Sequence, residues 1–433
     1  MLPDLAQLAA DPEALFQRVA QSLVETGELH RLFDLRLIQE RRRLGLALDR
    51  RTPIDDVEEP LRSQLEVGYL AACREVGELL LEAGRLREAW MYLRPAGDKL
   101  ALRQRLAKVV LEDSTTGDDR ADELIELALF EAVDPERGYA WLLGRNGTCN
   151  AITTLDGMSQ QLGLVDLKSC AAVLVRHVYR ELQGNLRGHL ARLQGAAAPS
   201  PQTAAPSPKS PSSTSGLQPP AYSLSVLDLI DEHPELLADG SYHLDVSHLA
   251  STMRYARLLT DPALVTKALE MAEYGSRLPK DLQYPGEAPF EDQFPTHRLL
   301  FAATLGRDVD EAVQYFAGRA SASAVRGDET DAQASAAASE GPLTQSAITP
   351  QSTTTIETYL ILLTRIGRPA DALAAFAELV PRGQELSPHA PTLLELATAS
   401  GDWDAYDRIC QDRDDMIGYA AGVMARTPPG RHG

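Results

Sequence analysis

The chain has 433 residues, with 42 Lys and Arg against 62 Asp and Glu, which gives a formal charge of −20. This excess of acids repels phosphate backbones, so it disfavours nucleic-acid binding. A hydrophobic fraction of 44% is enough for a sizeable core and excludes wholesale disorder. At roughly 150 residues per domain, the length predicts two or three structural units.

The cysteines indicate a reducing compartment, because Cys73, Cys149, Cys170 and Cys410 are scattered and form no CxxC spacing. Asp4 stands where a secretory signal would carry positive charge, and no apolar run reaches the length of a membrane span. We therefore predict a cytoplasmic protein without a membrane partner. No phosphate-binding loop or dinucleotide fingerprint occurs, so we expect no cofactor.

The first distinctive segment in chain order is basic. Residues 31–51 contain seven arginines interspersed with Asp34, Glu40 and Asp49, and Phe33 is their one aromatic neighbour. We expect these arginines to pair with the chain's own acids and not with nucleic acid. The arginines are Arg31, Arg36, Arg41, Arg42, Arg43, Arg50 and Arg51.

Helical periodicity follows the basic segment. In the stretch 61–84, apolar residues recur at steps of three and four and form one stripe, as an amphipathic helix requires. The stretches 121–133, 166–182, 249–259 and 261–275 share this period, and alternating strand-like runs are almost absent. We therefore predict an all-α fold.

Three segments differ in composition from the helices. Residues 112–136 hold ten acids and one arginine, which fits a solvated acidic face. Residues 195–221 hold seven prolines and six serines, which predicts a disordered Pro/Ser/Ala-rich linker. Residues 318–355 are rich in small residues and predict a low-complexity loop. The predicted organisation is thus an N-terminal helical domain at 1–194, the linker, and a C-terminal helical domain at 222–433.

A helix–glycine–helix pattern recurs along the chain. Gly84 and Gly367 each end one predicted helix, and an alanine follows each glycine by five residues. Large apolar residues follow by six and nine residues: Trp90 and Leu93 after Gly84, and Leu373 and Phe376 after Gly367. Gly401 lies 34 residues after Gly367, Gly306 carries the pattern with one extra turn residue, and Gly27 is a weaker case. Glycine allows the left-handed conformation that ends a helix and reverses the chain.

This period, the glycine turn and the Ala-x3-Phe spacing Ala372–Phe376 resemble tetratricopeptide (TPR) repeats. The resemblance implies an α-solenoid of helical hairpins, although Ile356 and Leu360 stand where the family prefers Trp and a small residue. The 242–316 stretch is also similar to bacterial helical-repeat proteins. An irregular helical bundle with recurring glycine turns is the alternative interpretation.

In such a solenoid the first helix of each hairpin lines the concave groove. The resemblance therefore implies a peptide-binding groove in which glutamates predominate, and we expect a protein or peptide partner that is basic or of mixed charge. The basic clamp with which some TPR proteins hold a terminal carboxylate is absent from the sequence. The groove candidates are Arg74, Glu75, Glu78, Glu82, Glu357, Thr364, Arg365 and Glu395.

A second interpretation of the sequence is a metal site formed by histidines and an aspartate. Asp245 and His248 share one face if a helix begins at Asp245, and His243 and His297 could join them as carboxylate and imidazole ligands. Asp245 is equally suited to cap that helix, and the histidines to bond between helices. The alternatives to a non-enzymatic protein-binding scaffold are therefore a metal-assisted enzyme at this site and a structural subunit of a homo-oligomer.

The loop 278–294 is the last feature. It carries Tyr284, Phe290 and Phe294 among three prolines. We predict a stiff insertion that packs across neighbouring helices, and a partner-binding lip is the alternative.

Overall fold

The computed structural model describes residues 10–48, 53–109, 119–195, 224–337 and 350–427. These residues form 18 α-helices and no strand, with 74% of the structure helical, so the all-α prediction is confirmed. Short 3-10 turns lie at Ile54–Asp56, Pro234–Gly240 and Lys280–Leu282, and a π-helical turn lies at Glu126–Phe130. The chain divides into two compact units, Met1–Gly147 and Thr148–Gly433.

The first unit holds the first six helices and the start of the seventh. The helices are α1 (Pro12–Glu25), α2 (Leu29–Arg43), α3 (Leu61–Glu82), α4 (Leu86–Leu93), α5 (Lys99–Leu106), α6 (Asp119–Ile125) and α7 (Pro135–Met158). Helix α7 departs from helical geometry at Gly147, where φ is 77° and ψ is 170°, and the boundary between the units falls at this residue.

The core of the first unit is built where α3 meets α4. Ala89, Trp90 and Leu93 on α4 are buried against Val76 and Leu80 of α3. Gly77 allows this approach, because a Cβ atom there would lie 2.6 Å from the Leu93 side chain. The small and large residues after the Gly84 turn thus fill the space between consecutive helices, as the repeat pattern predicts.

The second unit holds eleven further helices. They are α8 (Leu164–Leu193), α9 (Val226–Glu232), α10 (Val246–Ala256), α11 (Pro262–Ser276), α12 (Gln293–Thr304), α13 (Val309–Ala337), α14 (Pro350–Arg365), α15 (Pro369–Leu379), α16 (Leu393–Ser400), α17 (Trp403–Asp412) and α18 (Met416–Arg426). From α11 to α18, each described helix contacts the next one along the chain.

The five predicted glycine turns all adopt the left-handed conformation. Gly27, Gly84, Gly306, Gly367 and Gly401 have φ between 70° and 79°, and each lies between two helices that contact each other. At Gly84 the next amide, Arg85 N–H, donates to Leu80 O at 2.9 Å, and Arg368 N–H does the same to Leu363 O after Gly367. These bonds satisfy carbonyls that the end of a helix would otherwise leave free.

Two predicted boundaries differ from the structure. Helix α8 contacts α9, α10 and α11, so residues 164–193 belong to the second unit and not to an N-terminal domain at 1–194. Helix α13 continues to Ala337 and α14 begins at Pro350, so most of the loop predicted at 318–355 is helical. Alanine favours a helix even where large apolar residues are missing, which explains that error. The predicted linker lies outside the described residues, apart from Gly195.

The loop 278–294 packs as the insertion was predicted to do. Phe290 and Phe294 are buried, and Phe294 fills the space beside Gly275 of α11. Tyr284 is 63% exposed. In the part of the chain that the structure describes, no helix is long and apolar enough to cross a membrane.

Candidate functional site

A cavity of about 170 Å³ opens in the second unit beside α14. We call it the α14 pocket. Five of its lining residues come from α14 itself, and the others come from α8, the end of α10, α12 and the connection between α15 and α16. The lining residues are Leu164, Lys168, Arg254, Arg257, Leu258, Leu300, Thr354, Glu357, Thr358, Ile361, Arg365, Ser387 and His389.

The two faces of α14 differ in what they contact. Ile356, Leu360 and Leu363 are buried in the core, where they pack on α13 and α15. Glu357, Ile361 and Arg365 recur at steps of four on the other face and line the pocket. A helix places residues four apart on one side, so the period that buries one face presents the other to the cavity.

Arg365 lies at the C-terminal end of α14 and is half-buried. Its Nη2 donates to the backbone carbonyl of Arg257, and it makes no ion pair with a carboxylate among the described residues. Burial lowers the pKa of Arg365 to about 10, because the surroundings stabilise the charge less than water does. The hydrogen bond to Arg257 fixes the direction of the side chain without neutralising it.

Arg257 follows α10 and lies above the ring of Phe290, with its Cζ atom 4.6 Å from the ring centroid. Its Nε donates to Arg254 O at 3.1 Å. Burial, with a smaller contribution from Arg254, lowers the pKa of Arg257 to about 10. The loop that carries Phe290 thus supports a charged pocket residue, since an aromatic face attracts a guanidinium.

The other basic residues of the pocket differ in their partners. Arg254 Nη2 donates to Asp156 Oδ1 at 2.7 Å, so its charge is compensated. Lys168 is half-buried on α8 and makes no ion pair or hydrogen bond among the described residues. His389 is exposed at the rim.

The one acid in the lining is Glu357, and it has partners of its own. Ser387 N–H donates to Glu357 Oε1 at 2.6 Å, and Ser387 Oγ donates to Oε2 at 2.8 Å. These bonds attach the connection between α15 and α16 to α14. Among the described residues, Glu357 forms no ion pair with Arg257 or Arg365.

The predicted groove residues of the first unit are distributed along α3. Glu75 forms a two-point ion pair with Arg36 of α2, at 2.8 and 2.7 Å, and this bond raises the pKa of Arg36. Arg74 donates to Ala96 O at 3.5 Å. Glu78 and Glu82 are exposed and form no ion pair within the described residues. The open part of this face is therefore acidic.

Two other groove candidates have local roles. Thr364 Oγ1 donates to Leu360 O at 2.9 Å, one turn back on α14. Glu395 accepts from Thr392 N–H at 2.8 Å, and Thr392 Oγ accepts from Glu395 N–H, so the pair forms the capping box of α16. Glu357 and Arg365 are the predicted groove residues that the structure brings together in the pocket.

The four residues of the metal reading do not converge. Among the described residues no group of three or more His, Cys, Asp or Glu side chains is placed to hold a metal ion. Asp245 caps α10 by accepting from Ser247, which lowers its pKa, and His248 lies half-buried on the same helix. His297 stacks on Phe290 at 4.2 Å between ring centroids.

His243 packs against aromatic and imidazole groups. Its Nε2 lies 2.8 Å from Nδ1 of His189, and its backbone N–H donates to the hydroxyl of Tyr274 at 2.8 Å. Burial and the neighbouring His189 and Arg192 lower the pKa of His243 to about 4. His243 therefore acts as a neutral hydrogen-bonding group between α8 and α11, the alternative role that the sequence left open, whereas His297 Nδ1 hydrogen-bonds to Gln293 O within its own helix.

The arginines of the basic N-terminal segment pair largely as expected. Arg31 bonds to Glu28 at 2.5 Å, Arg36 to Glu75, and Arg43 to Glu40 at 2.8 Å. Arg41 is buried and donates to Ala47 O at 3.3 Å. Arg50 and Arg51 lie outside the described residues.

Sequence reasoning missed Lys168, Arg254 and Arg257, which complete the α14 pocket. They lie on α8 and at the end of α10, far from α14 in the sequence, and no spacing marks them as partners of Arg365. The comparisons with known proteins add no name to the site: no family model, curated protein or solved structure matches the chain.

Proposed function

We propose that the chain is a non-enzymatic scaffold that binds a protein or peptide along the first helices of its hairpins, stacked as a TPR-like α-solenoid. One observation carries this proposal: Glu357, Ile361 and Arg365 of a first helix line an open pocket, whereas Ala372 and Leu373 of the second helix are buried in the core. In hairpin repeats, the first helix of each pair lines the binding surface in the same way.

Two further features support a peptide as the ligand. The pocket has an apolar wall, formed by Leu164, Leu258, Leu300 and Ile361, beside its charged groups. This mixture suits a side chain with an apolar stem and a polar end. On α3, the exposed Glu78 and Glu82 suit a basic segment of the same or another partner. We place this activity in the cytoplasm, because all four cysteines are free thiols.

The test is selection of peptides from a random display library on the full chain, followed by affinity measurements with two variants. Ile361→Trp fills the pocket, and Ala374→Trp places the same side chain on the exposed surface of α15. We expect Ile361→Trp to weaken the selected peptides at least tenfold and Ala374→Trp to leave their affinity within twofold. Circular dichroism melts of both variants verify the fold.

Two results would contradict the proposal. One is the absence of peptide enrichment over an unrelated helical protein used as bait. The other is equal binding of the enriched peptides to Ile361→Trp and to the unchanged chain.

Self-association is a second candidate, and one observation favours it. Helix α18 exposes Met416, Ile417 and Met424, with exposed fractions of 79%, 84% and 69%. Clustered apolar residues at a surface are typical of protein interfaces. Light scattering over a concentration series would detect a dimer that Ile417→Glu dissociates. A mass equal to the monomer at every concentration would exclude this candidate.

A further inference from the structure

The charge of the α14 pocket is opposite to that of the chain. Lys168, Arg257 and Arg365 line it without an ion pair to a carboxylate among the described residues, and Glu357 is the one acid of the lining. Glu287, outside the lining, acts on Arg257 only through a longer-range charge interaction. Arg254 is neutralised by Asp156 outside the pocket. The pocket therefore carries an excess of two positive charges in a protein whose formal net charge is −20.

Both unpaired guanidiniums are held in place before any ligand arrives. Arg365 uses one N–H on Arg257 O, and Arg257 uses its Nε on Arg254 O while it stacks on Phe290. Each keeps the rest of its planar set of donors for another acceptor. A preformed arrangement of this kind reduces the entropy that a ligand must lose on binding.

Charges left unpaired in a partly buried site lower stability, because the surroundings solvate them less well than water. Leucine or methionine would fill the same volumes without that loss. The hydrogen bonds to carbonyls and the contact with Phe290 offset part of this loss, but no ion pair with a carboxylate compensates either charge. An anion bound between them would recover the interaction that the protein itself does not supply.

We propose that the α14 pocket binds a phosphate group, as the doubly charged oxyanion, between Arg257 and Arg365 with Lys168 as the third cation. This inference rests on the proposed function in one respect: both take the α14 pocket as the ligand site. It names the chemical group that the site recognises, whether that group is a free phosphate compound or a phosphorylated side chain of the partner.

The choice of phosphate over a carboxylate follows from charge and shape. A phosphate monoester carries about −1.5 to −2 charges near pH 7, which matches the excess in the pocket, whereas a carboxylate would leave one cation uncompensated. Guanidinium groups bind phosphate oxygens in pairs of parallel hydrogen bonds. The cavity volume of about 170 Å³ is several times the ~30 Å³ that one water molecule occupies in the liquid.

The test is calorimetric titration of the full chain with inorganic phosphate at fixed ionic strength, with acetate as the comparison anion. We expect one phosphate per chain and an affinity at least tenfold above that of acetate. Arg257→Met and Arg365→Met should each weaken phosphate binding at least tenfold, and Lys168→Met about threefold. Binding of phosphate no tighter than acetate would overturn the assignment.

Arg319→Met is the matched control, because Arg319 also lies over an aromatic ring, that of Tyr315 at 5.4 Å, but pairs with Glu291. Its phosphate affinity should stay within twofold of the unchanged chain. An equal loss of phosphate affinity in this control would show that the loss is not specific to the pocket arginines, and it would refute the proposed phosphate site.

A measurement without variants covers the case in which a substitution unfolds the chain. Phenylglyoxal modifies accessible guanidiniums, and mass spectrometry locates the products. Saturating phosphate should protect Arg257 and Arg365 and leave Arg319 equally reactive. Unchanged modification of both pocket arginines would count against the proposal.

Two further arms separate the sources of the phosphate. A degenerate phosphoserine peptide pool should bind more tightly than inorganic phosphate if the group belongs to a partner chain, and no more tightly if it belongs to a small compound. The unphosphorylated pool should bind more weakly in either case. If phosphate fails but display peptides still bind in a manner sensitive to Ile361→Trp, the proposed function stands and the inference about phosphate falls.

Discussion

Arginine side chains have different kinds of partner in two regions of this protein. On α2 of the first unit, Arg36 faces both oxygens of Glu75, and His30 lies 2.6 Å from Glu88, whose pKa falls to about 2 through its bonds to Arg85 and His30. In the α14 pocket of the second unit, Arg257 and Arg365 meet backbone carbonyls and an aromatic ring, and burial lowers their pKa values.

The difference separates a structural role from a binding role. A carboxylate partner uses the charge of an arginine to tie two helices together, as Glu75 does between α2 and α3. Carbonyl partners orient an arginine and leave its charge available to a ligand. The same residue type therefore holds the fold in one region and forms the candidate site in the other, and the partner distinguishes the two cases.

The largest expected effect concerns two buried neutral histidines of the second unit. Burial lowers the pKa of His297 to about 3 and that of His243 to about 4. The unfolded chain takes up these protons near pH 6.5, whereas the folded chain resists them until lower pH, so the free energy of unfolding falls as the pH drops below 6.5. We expect a loss of about 2 kcal/mol for each histidine between pH 7 and pH 5.

Urea unfolding at the two pH values measures this loss. The groups around His243 are His189, Arg192 and Tyr274, and Arg257 is the charged group beside His297. His243→Gln should remove about half of the pH dependence. A pH dependence that survives both His243→Gln and His297→Gln would refute this account.

Substitutions at the glycine turns show whether the hairpins of the two regions have the same turn geometry. Gly84 and Gly367 both have φ of 75°, a conformation that costs other residues about 1 kcal/mol or more. Gly84→Ala and Gly367→Ala should therefore lower the free energy of unfolding by similar amounts, of about 1 to 2 kcal/mol. Thermal unfolding of the two variants measures the effect.

Gly184 provides the control for this prediction. It lies inside α8 with open space where a Cβ atom would stand, so Gly184→Ala should stabilise the chain by about 0.5 to 1 kcal/mol. A neutral result at Gly84 together with a loss at Gly367 would mean that the two turns are not equivalent.

The smallest effects compare the arginines directly. Arg36→Met removes a partly exposed two-point ion pair and should lower the free energy of unfolding by about 1 kcal/mol. Arg365→Met removes an unpaired charge together with one hydrogen bond, and we expect a net change within about 0.5 kcal/mol in phosphate-free buffer. Chemical denaturation of both variants at low salt gives the two values.

High salt sharpens this last comparison. Added sodium chloride should reduce the loss caused by Arg36→Met, because salt screens a partly exposed pair. A loss at Arg365 as large as that at Arg36 would show that Arg365 serves the fold, and its assignment to a binding role would then be wrong.

Much of the fold was predictable because it depends on local physics. The three- and four-residue period of 61–84 predicts α3, and the residue types around Gly84 and Gly367 predict left-handed turns between contacting helices. The helical part of 318–337 escaped prediction because an alanine-rich helix carries no apolar stripe. The place of α8 in the second unit escaped because it depends on contacts with helices on the far side of a long segment.

The candidate site was predictable only in part. Because the face of α14 follows from helical spacing, Glu357 and Arg365 could be named as binding residues. The expectation of an acidic groove remains a prediction for α3, where Glu78 and Glu82 are open. It did not anticipate the charge of the α14 pocket, which arises from three separate segments.

The sequence by itself determined most of the helices, their glycine turns and the side of the clearest hairpins that faces the core, since periodicity and glycine conformation act over a few residues. Tertiary structure alone decided which charges meet a carboxylate. The sequence placed Arg36 among acids and Arg365 on a candidate binding face, but packing decided that Arg36 meets Glu75 and Arg365 a backbone carbonyl. Electrostatic partners are set by distance in space, and a pattern of residue types along the chain does not contain that distance.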